Sequence, residues 1–224
     1  MKTIFLAILS VVLFMSACAD PAANKPKATT TASNTTAANT TTAEPAKADV
    51  LAGFKATGTE LAITPETSKV EFTGSKVTGK HNGGFKKFAG VIDLVGDKAE
   101  TSKVLFEIEM NSIFTDTDGV TKHLQTADFF DVEKFPKASF SSTGIVPVAG
   151  AVGNYTITGD MVIHGVRKSI TFPATIIITP GDVNVKAEFS INRKDFGIAY
   201  AGKADDLVRD DVVLRLDLKA AKKK

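Results

Sequence analysis

The chain has no tryptophan, two tyrosines and a single cysteine among its 224 residues, and each scarcity removes a class of function. With Cys18 alone, no disulfide can form within one chain, and no thiolate is left in the body for metal or redox chemistry. Histidine is almost as rare: His81, His123 and His164 show no metal-ligand spacing. Neither Gly-x-Ser-x-Gly nor His-Glu-x-x-His occurs, so two familiar hydrolase signatures are missing. An excess of one charge is lacking too. The 27 Lys and Arg face 25 Asp and Glu, a net charge of +2, which offers no electrostatic footprint for nucleic acid. The longest apolar run, Ile4 to Met15, falls short of the roughly 20 residues that span a bilayer as a helix.

What is present begins with export. Lys2, the apolar run and Ser16-Ala17-Cys18 read as a signal over residues 1–18. The placement of Cys18 resembles the lipobox of bacterial lipoproteins, in which the cysteine is acylated and becomes the mature N-terminus. Met15 departs from that pattern, which has leucine there. Ala17-Cys18-Ala19 also fits ordinary signal cleavage, which would release a soluble protein; a lone cysteine with no structural task favours the first reading. On it, Cys18 is the lipid attachment point, and the protein is expected in the bacterial periplasm or cell envelope, held to a membrane. From Ala19 to Asp49 the chain is almost wholly Ala, Thr, Asn, Pro and Lys, without Leu, Ile, Val or aromatic residues. Such a composition buries too little apolar surface to offset its ordering entropy, so residues 19–54 are expected as a disordered tether, its polar stretch spanning about 30 Å. At the other end, residues 220–224 form a basic tail.

Residues 55–219 read as one domain whose apolar period is two, the mark of strands with one buried face. Val104, Phe106, Ile108 and Met110 alternate with Glu107 and Glu109, and Val212, Leu214, Leu216 and Leu218 alternate with Arg215, Asp217 and Lys219. Similar sets run through Val70 and Phe72, Tyr155 to Ile163, Ile170 to Ile178 and Val183 to Ile191. Turn residues such as Gly153-Asn154, His164-Gly165 and Pro180-Gly181-Asp182 separate them. Connections this short join antiparallel strands, and about eight such strands call for an all-β sandwich or closed barrel. One stretch, "GSKVTGKHNGG" from Gly74 to Gly84, comes close to a phosphate-binding loop. That loop needs Ser or Thr after its lysine and a helix at once behind it; His81 follows here and a strand comes next, so the stretch is expected as a flexible inter-strand loop.

The one long segment without strand pattern carries a helix-compatible stretch, Val120 to Ala127, then Phe129, Phe130, Val132 and Phe135 before Pro136. Its text, "HLQTADFFDVEKFPKASFSSTGI", is similar to the signature of the YceI-like family. "SKVEFTGSKV", "GGFKKFAGVIDL", "ITGDMVIHGVRKSITF" and "INRKDFGI" support the match in the family's order over about residues 61–219. The resemblance implies an eight-stranded antiparallel lipocalin-like barrel with a short helical insertion, exported by bacteria and enclosing a polyisoprenoid or similar lipid. It implies no catalytic residue, no metal and no cofactor beyond that isoprenoid ligand. Phe72, Phe85, Phe88, Phe106, Phe129, Phe130, Phe140 and Phe189, chosen from strand phase and the motif, are the expected ligand contacts, with His123 near a headgroup. The competing view is that these rings simply fill the core and that the protein acts through its loops.

The remaining polar groups point to no reaction. His81 and His164 are expected as solvated loop residues, and Arg167, Lys168, Arg193 and Lys194 as solvent-facing charge near the mouth. Asp116, Asp118 and Gly119 imitate a calcium loop, but its first ligand position would fall on Phe114 and its closing glutamate on Gln125. Lipid and membrane are thus the expected partners, nucleic acid is not, and homodimerisation is left open.

Overall fold

The computed structural model describes residues 19–33 and 48–222. The signal, Cys18, the middle of the tether and the last two lysines lie outside the described residues. Within them the alternating pattern forms strands β1 (Thr29–Ala32), β2 (Thr59–Ile63), β3 (Lys69–Lys76), β4 (Gly79–Phe85), β5 (Phe88–Val95), β6 (Lys98–Glu109) and β7 (Ile113–Thr115). After helix α1 (Asp118–Leu124) come β8 (Lys137–Pro147), β9 (Asn154–Ile163), β10 (Val166–Ile178), β11 (Asp182–Asn192), β12 (Gly202–Lys203), β13 (Asp206–Leu207) and β14 (Asp211–Ala221).

The protein is a curled antiparallel sheet of the expected class, and the strand count exceeds eight for a local reason. β4 and β5 are one course of chain bent at Lys86-Lys87, and β6 and β7 another, interrupted by the 3-10 turn Met110–Ser112. With each bent strand counted once, pairing passes from β3 to β4, β4 to β7, and from β6 through β8, β9, β10, β11 and β14 back to β3. The bend lets one course of chain serve two partners: β3 lies along β4, while β2 lies along β5. The stretch from Gly74 to Gly84 is corrected from a loop to the β3–β4 hairpin, in register from Glu71↔Gly84 to Lys76↔Gly79. Gly83 has a task there, because a Cβ on it would stand 2.5 Å from the Phe72 ring lying across it.

The expectation of a disordered chain from Ala19 is corrected for residues 19–33. β10 and β11 pair only from Thr175↔Lys186 to Ile178↔Val183 and then part, which leaves backbone groups on both strands without a ladder partner. The N-terminal segment supplies it. β1 lies antiparallel on β10 from Thr29↔Thr171 to Ala32↔Lys168, while Ala28 N donates to Ser190 O and Ser190 N to Pro26 O, both at 2.8 Å. Composition could not reveal this, because the stabilisation comes from main-chain hydrogen bonds offered by two open edges. Side chains add Lys25 to Glu188 at 2.6 Å, Lys27 to Asp211 at 2.7 Å and Asp20 to Arg209 at 3.4 Å.

The Lys25 ammonium, with Arg215 at 2.8 Å, holds the Glu188 carboxyl below its ordinary value of 4.5 in spite of partial burial. A carboxylate depressed in this way contributes stability above its ordinary value and loses it as pH falls through the lower, folded value. The amides of Ala28 to Ala32 are therefore expected to stay protected from hydrogen exchange at neutral pH and to lose that protection below about pH 4. A Glu188→Gln variant whose protection falls with pH as the wild type's does would mean that Glu188 contributes nothing to the docking.

A second buried acid ties residues 57–58 to the sheet. Asp93 is 1% exposed. Burial, which alone would raise its carboxyl, is outweighed by hydrogen bonds from Thr57 N, Thr57 Oγ1 and Gly58 N at 2.7–3.1 Å, and the group stays below the ordinary range. Asp93→Ala removes the acceptor from all three donors and is expected to cost about 2 kcal/mol, read from urea unfolding at neutral pH.

Candidate functional site

The inward-facing residues do not fill the interior evenly. At the end where β5 meets β6 and β8 meets β9, Leu61, Ile63, Leu94, Ile145, Ile176 and Ala220 pack into a closed core. Toward the end carrying α1, a cavity of about 140 Å³ remains. β14 contributes all four residues of its apolar phase, Val212, Leu214, Leu216 and Leu218, and β9 adds Ile157, Met161 and Ile163. Rings supply the rest: Phe172 stacks on Phe189 at 4.1 Å, Phe140 tilts against Phe172 at 5.6 Å, and Phe72 against Phe85 at 5.8 Å. Phe140 lies flat on the opposite strand because Gly159 is there, and a Cβ at that position would fall 2.4 Å from its ring. No carboxylate or imidazole enters this lining.

Above it a wider mouth of about 330 Å³ shares Phe72, Phe130, Arg193, Ile198 and Val212 with the inner cavity, so the two adjoin at these side chains. The insertion forms one lip of the mouth. Phe129 packs on His123 and Tyr200, with ring centres 5.0–5.1 Å apart for all three pairs, and His123 Nε2 is fixed by Asp128 Oδ2 at 2.8 Å. Lys76, Lys203 and Arg209 line the opposite side.

The structure thus brings Phe72, Phe85, Phe106, Phe130, Phe140 and Phe189 into the inner lining, and His123 and Phe129 to the mouth. Phe88 lines neither; it packs behind Phe106 at 5.1 Å. Strand phase did not point to Tyr200, Phe196 or Ile198, because they lie in and just after a 3-10 turn (Arg193–Phe196), where alternation does not apply.

Of the charged or polar residues near this end, Arg193 and His81 are placed otherwise than expected, while His164 stands in the β9–β10 turn as expected. Arg193 is buried, its side chain 5% exposed, and its guanidinium donates to the carbonyls of Ile198, Val208 and Arg209 and to Asp210, which ties the 193–210 loop together. It faces protein because four acceptors converge on it. His81 belongs to β4 and meets Asp116 Oδ1 at 2.7 Å, and His164 lies against the Phe135 ring at 4.5 Å. Among the described residues no three His, Cys, Asp or Glu side chains come together as a metal site.

An interior of this kind binds by area. Each methylene it removes from water is worth about 0.8 kcal/mol, with no hydrogen bond required. The inner cavity alone is smaller than the roughly 300–1,000 Å³ of ordinary ligand pockets, while cavity and mouth together fall within that range.

Comparison with known proteins agrees with this geometry. The model of the YceI-like domain matches residues 61–220. A UPF0312 protein of Pseudomonas putida strain W619 is 31% identical over 137 residues, covering 58% of this chain and 70% of its own. Among solved structures, BcnA of Burkholderia cenocepacia superposes with a TM-score of 0.64 at 24% identity, over 70% of this chain and 99% of that one. A polyisoprenoid binding domain from Saccharophagus degradans gives 0.58 at 18% identity, over 73% and 98%. At these identities the two structures speak for the fold, and the family match spans most of the chain: the protein belongs to the YceI-like family.

Proposed function

We propose that the protein binds one long apolar lipid of the polyisoprenoid class, such as a quinone or a prenyl phosphate, and does so without catalysis. The observation that carries this is the apolar inner cavity that adjoins a polar-rimmed mouth at the α1 end. The Saccharophagus domain, described as binding a polyisoprenoid, supports the ligand class. The phenylalanines of the lining and His123 at the mouth are the proposed contacts. Export to the periplasm or cell envelope and acylation at Cys18 complete the proposal and rest on the N-terminal sequence.

The test is native mass spectrometry of the full chain, purified without a tag from a bacterial membrane fraction, followed by solvent extraction. Stoichiometric isoprenoid is the expected result, and a diacylglyceryl mass on Cys18 tests the anchor separately. A protein that emerges empty and stays empty after incubation with quinones and prenyl phosphates would refute the carrier reading and return the function to its exposed loops.

A further inference from the structure

Three features meet at the open end of the cavity. The first is a pair of apolar tips. Val77, in the β3–β4 turn, and Leu207, in β13, are each 48% exposed, and Val77 N donates to Leu207 O at 3.1 Å, so the two stand side by side. Lys76 pairs with Asp206, and Thr78 donates through N and Oγ1 to the same carboxylate at 3.1 and 2.9 Å, which locks the two turns into one rigid edge. The second is the cavity opening itself, since Lys76, Asp206, Val208 and Arg209 line the mouth. The third is the segment that follows Cys18 in sequence: the Asp20 carboxylate reaches Arg209, a residue of the mouth, at 3.4 Å.

A tether that was free from Ala19 would leave the barrel's orientation random. A segment pinned from Asp20 onward does not. We infer that this end of the protein rests on a lipid bilayer, with Val77 and Leu207 among the headgroups and the cavity opening turned toward the hydrocarbon, so that a lipid enters or leaves without crossing bulk water. The inference rests on the acylation of Cys18 for its anchor. The attraction is chiefly apolar: Lys76 is matched by Asp206 and Arg209 by Asp20, which leaves Lys203 as a single lining lysine without an ion pair among the described residues. The opposite end also exposes apolar side chains, Val146, Val148 and Val152, but neither the opening nor the Asp20–Arg209 contact lies there.

The absence of tryptophan makes the test clean. Val77→Trp, Leu207→Trp and, at the far end, Val152→Trp each provide a single reporter in the full chain. The protein is bound to vesicles of phosphatidylethanolamine and phosphatidylglycerol through its own acyl group. Where mass spectrometry finds Cys18 unmodified, this single cysteine is coupled to a maleimide phospholipid in the vesicle, so a failed anchor reading is recorded separately and orientation is still measured. The expected result is a blue shift and strong quenching by brominated lipid at positions 77 and 207, with position 152 unaffected. Equal quenching at all three positions, quenching at 152 alone, or emission unchanged at 77 and 207 on floated vesicles would each overturn the inference. Circular dichroism of each variant confirms that the barrel is intact before it is scored.

Discussion

Leu214→Trp is expected to abolish capture of a long isoprenoid while leaving the barrel folded. Leu214 sits in register between Phe189 on β11 and Phe72 on β3, so its side chain projects into the middle of the lining. Enlarging a residue in a filled core costs about 1–3 kcal/mol through strain. Here the added ring grows into open volume, and the cost is expected at the low end of that range. The loss falls on the ligand. If the indole excludes about four methylenes at ~0.8 kcal/mol each, affinity drops by roughly 3 kcal/mol, on the order of 200-fold. Lipid extracted per mole of purified variant, compared with wild type, measures it directly. Undiminished lipid content in a folded variant would show that the bound chain does not use this channel.

The second large effect concerns the N-terminal segment. Ala28 is buried within the hydrophobic core between β10 and β11, and Ala28→Asp places a carboxylate there with no partner prepared for it. An unpaired buried charge costs several kcal/mol, and the segment avoids that cost by leaving its slot. The alternate amides of β10 between Lys168 and Thr171 that face β1 instead of β9, and that of Ser190, are then expected to exchange at least about 100-fold faster, the equivalent of roughly 2.7 kcal/mol of lost protection. The far-end ladder from Thr175 to Ile178, which β11 pairs directly, should be unaffected. Uniform loss of protection over the whole barrel would instead mean that the segment is part of one cooperative unit with it.

These expectations show where the sequence was legible. The period of two in Val212 to Leu218, and in Val183 to Ile191, placed those strands with the correct face inward, because a half-buried strand must alternate wherever it lies. A helical stretch is expected over Val120 to Ala127, and the helix lies slightly earlier, at Asp118–Leu124. What could not be seen depended on distant partners. The docking of Pro26 to Ala32 rests on a gap between two strands more than a hundred residues away, and Ala, Thr and Lys do not reveal it. Arg193 was read as solvent-facing because a lone arginine gives no notice of four carbonyl and carboxylate oxygens closing around it from the 198–210 loop. Gly83, read as part of a flexible loop, is instead the floor on which Phe72 lies, as Gly159 is for Phe140.

The packed core beyond the cavity has a kinetic meaning. Among the described residues, Leu61, Ile63, Leu94 and Ile176 close the interior at the end away from α1, so on the proposed function a guest would leave by the α1 end through which it entered. On that reading a newcomer would not push the resident lipid through from behind. Replacement must wait for departure, and at saturation the turnover of bound lipid should be indifferent to how much fresh lipid is offered outside.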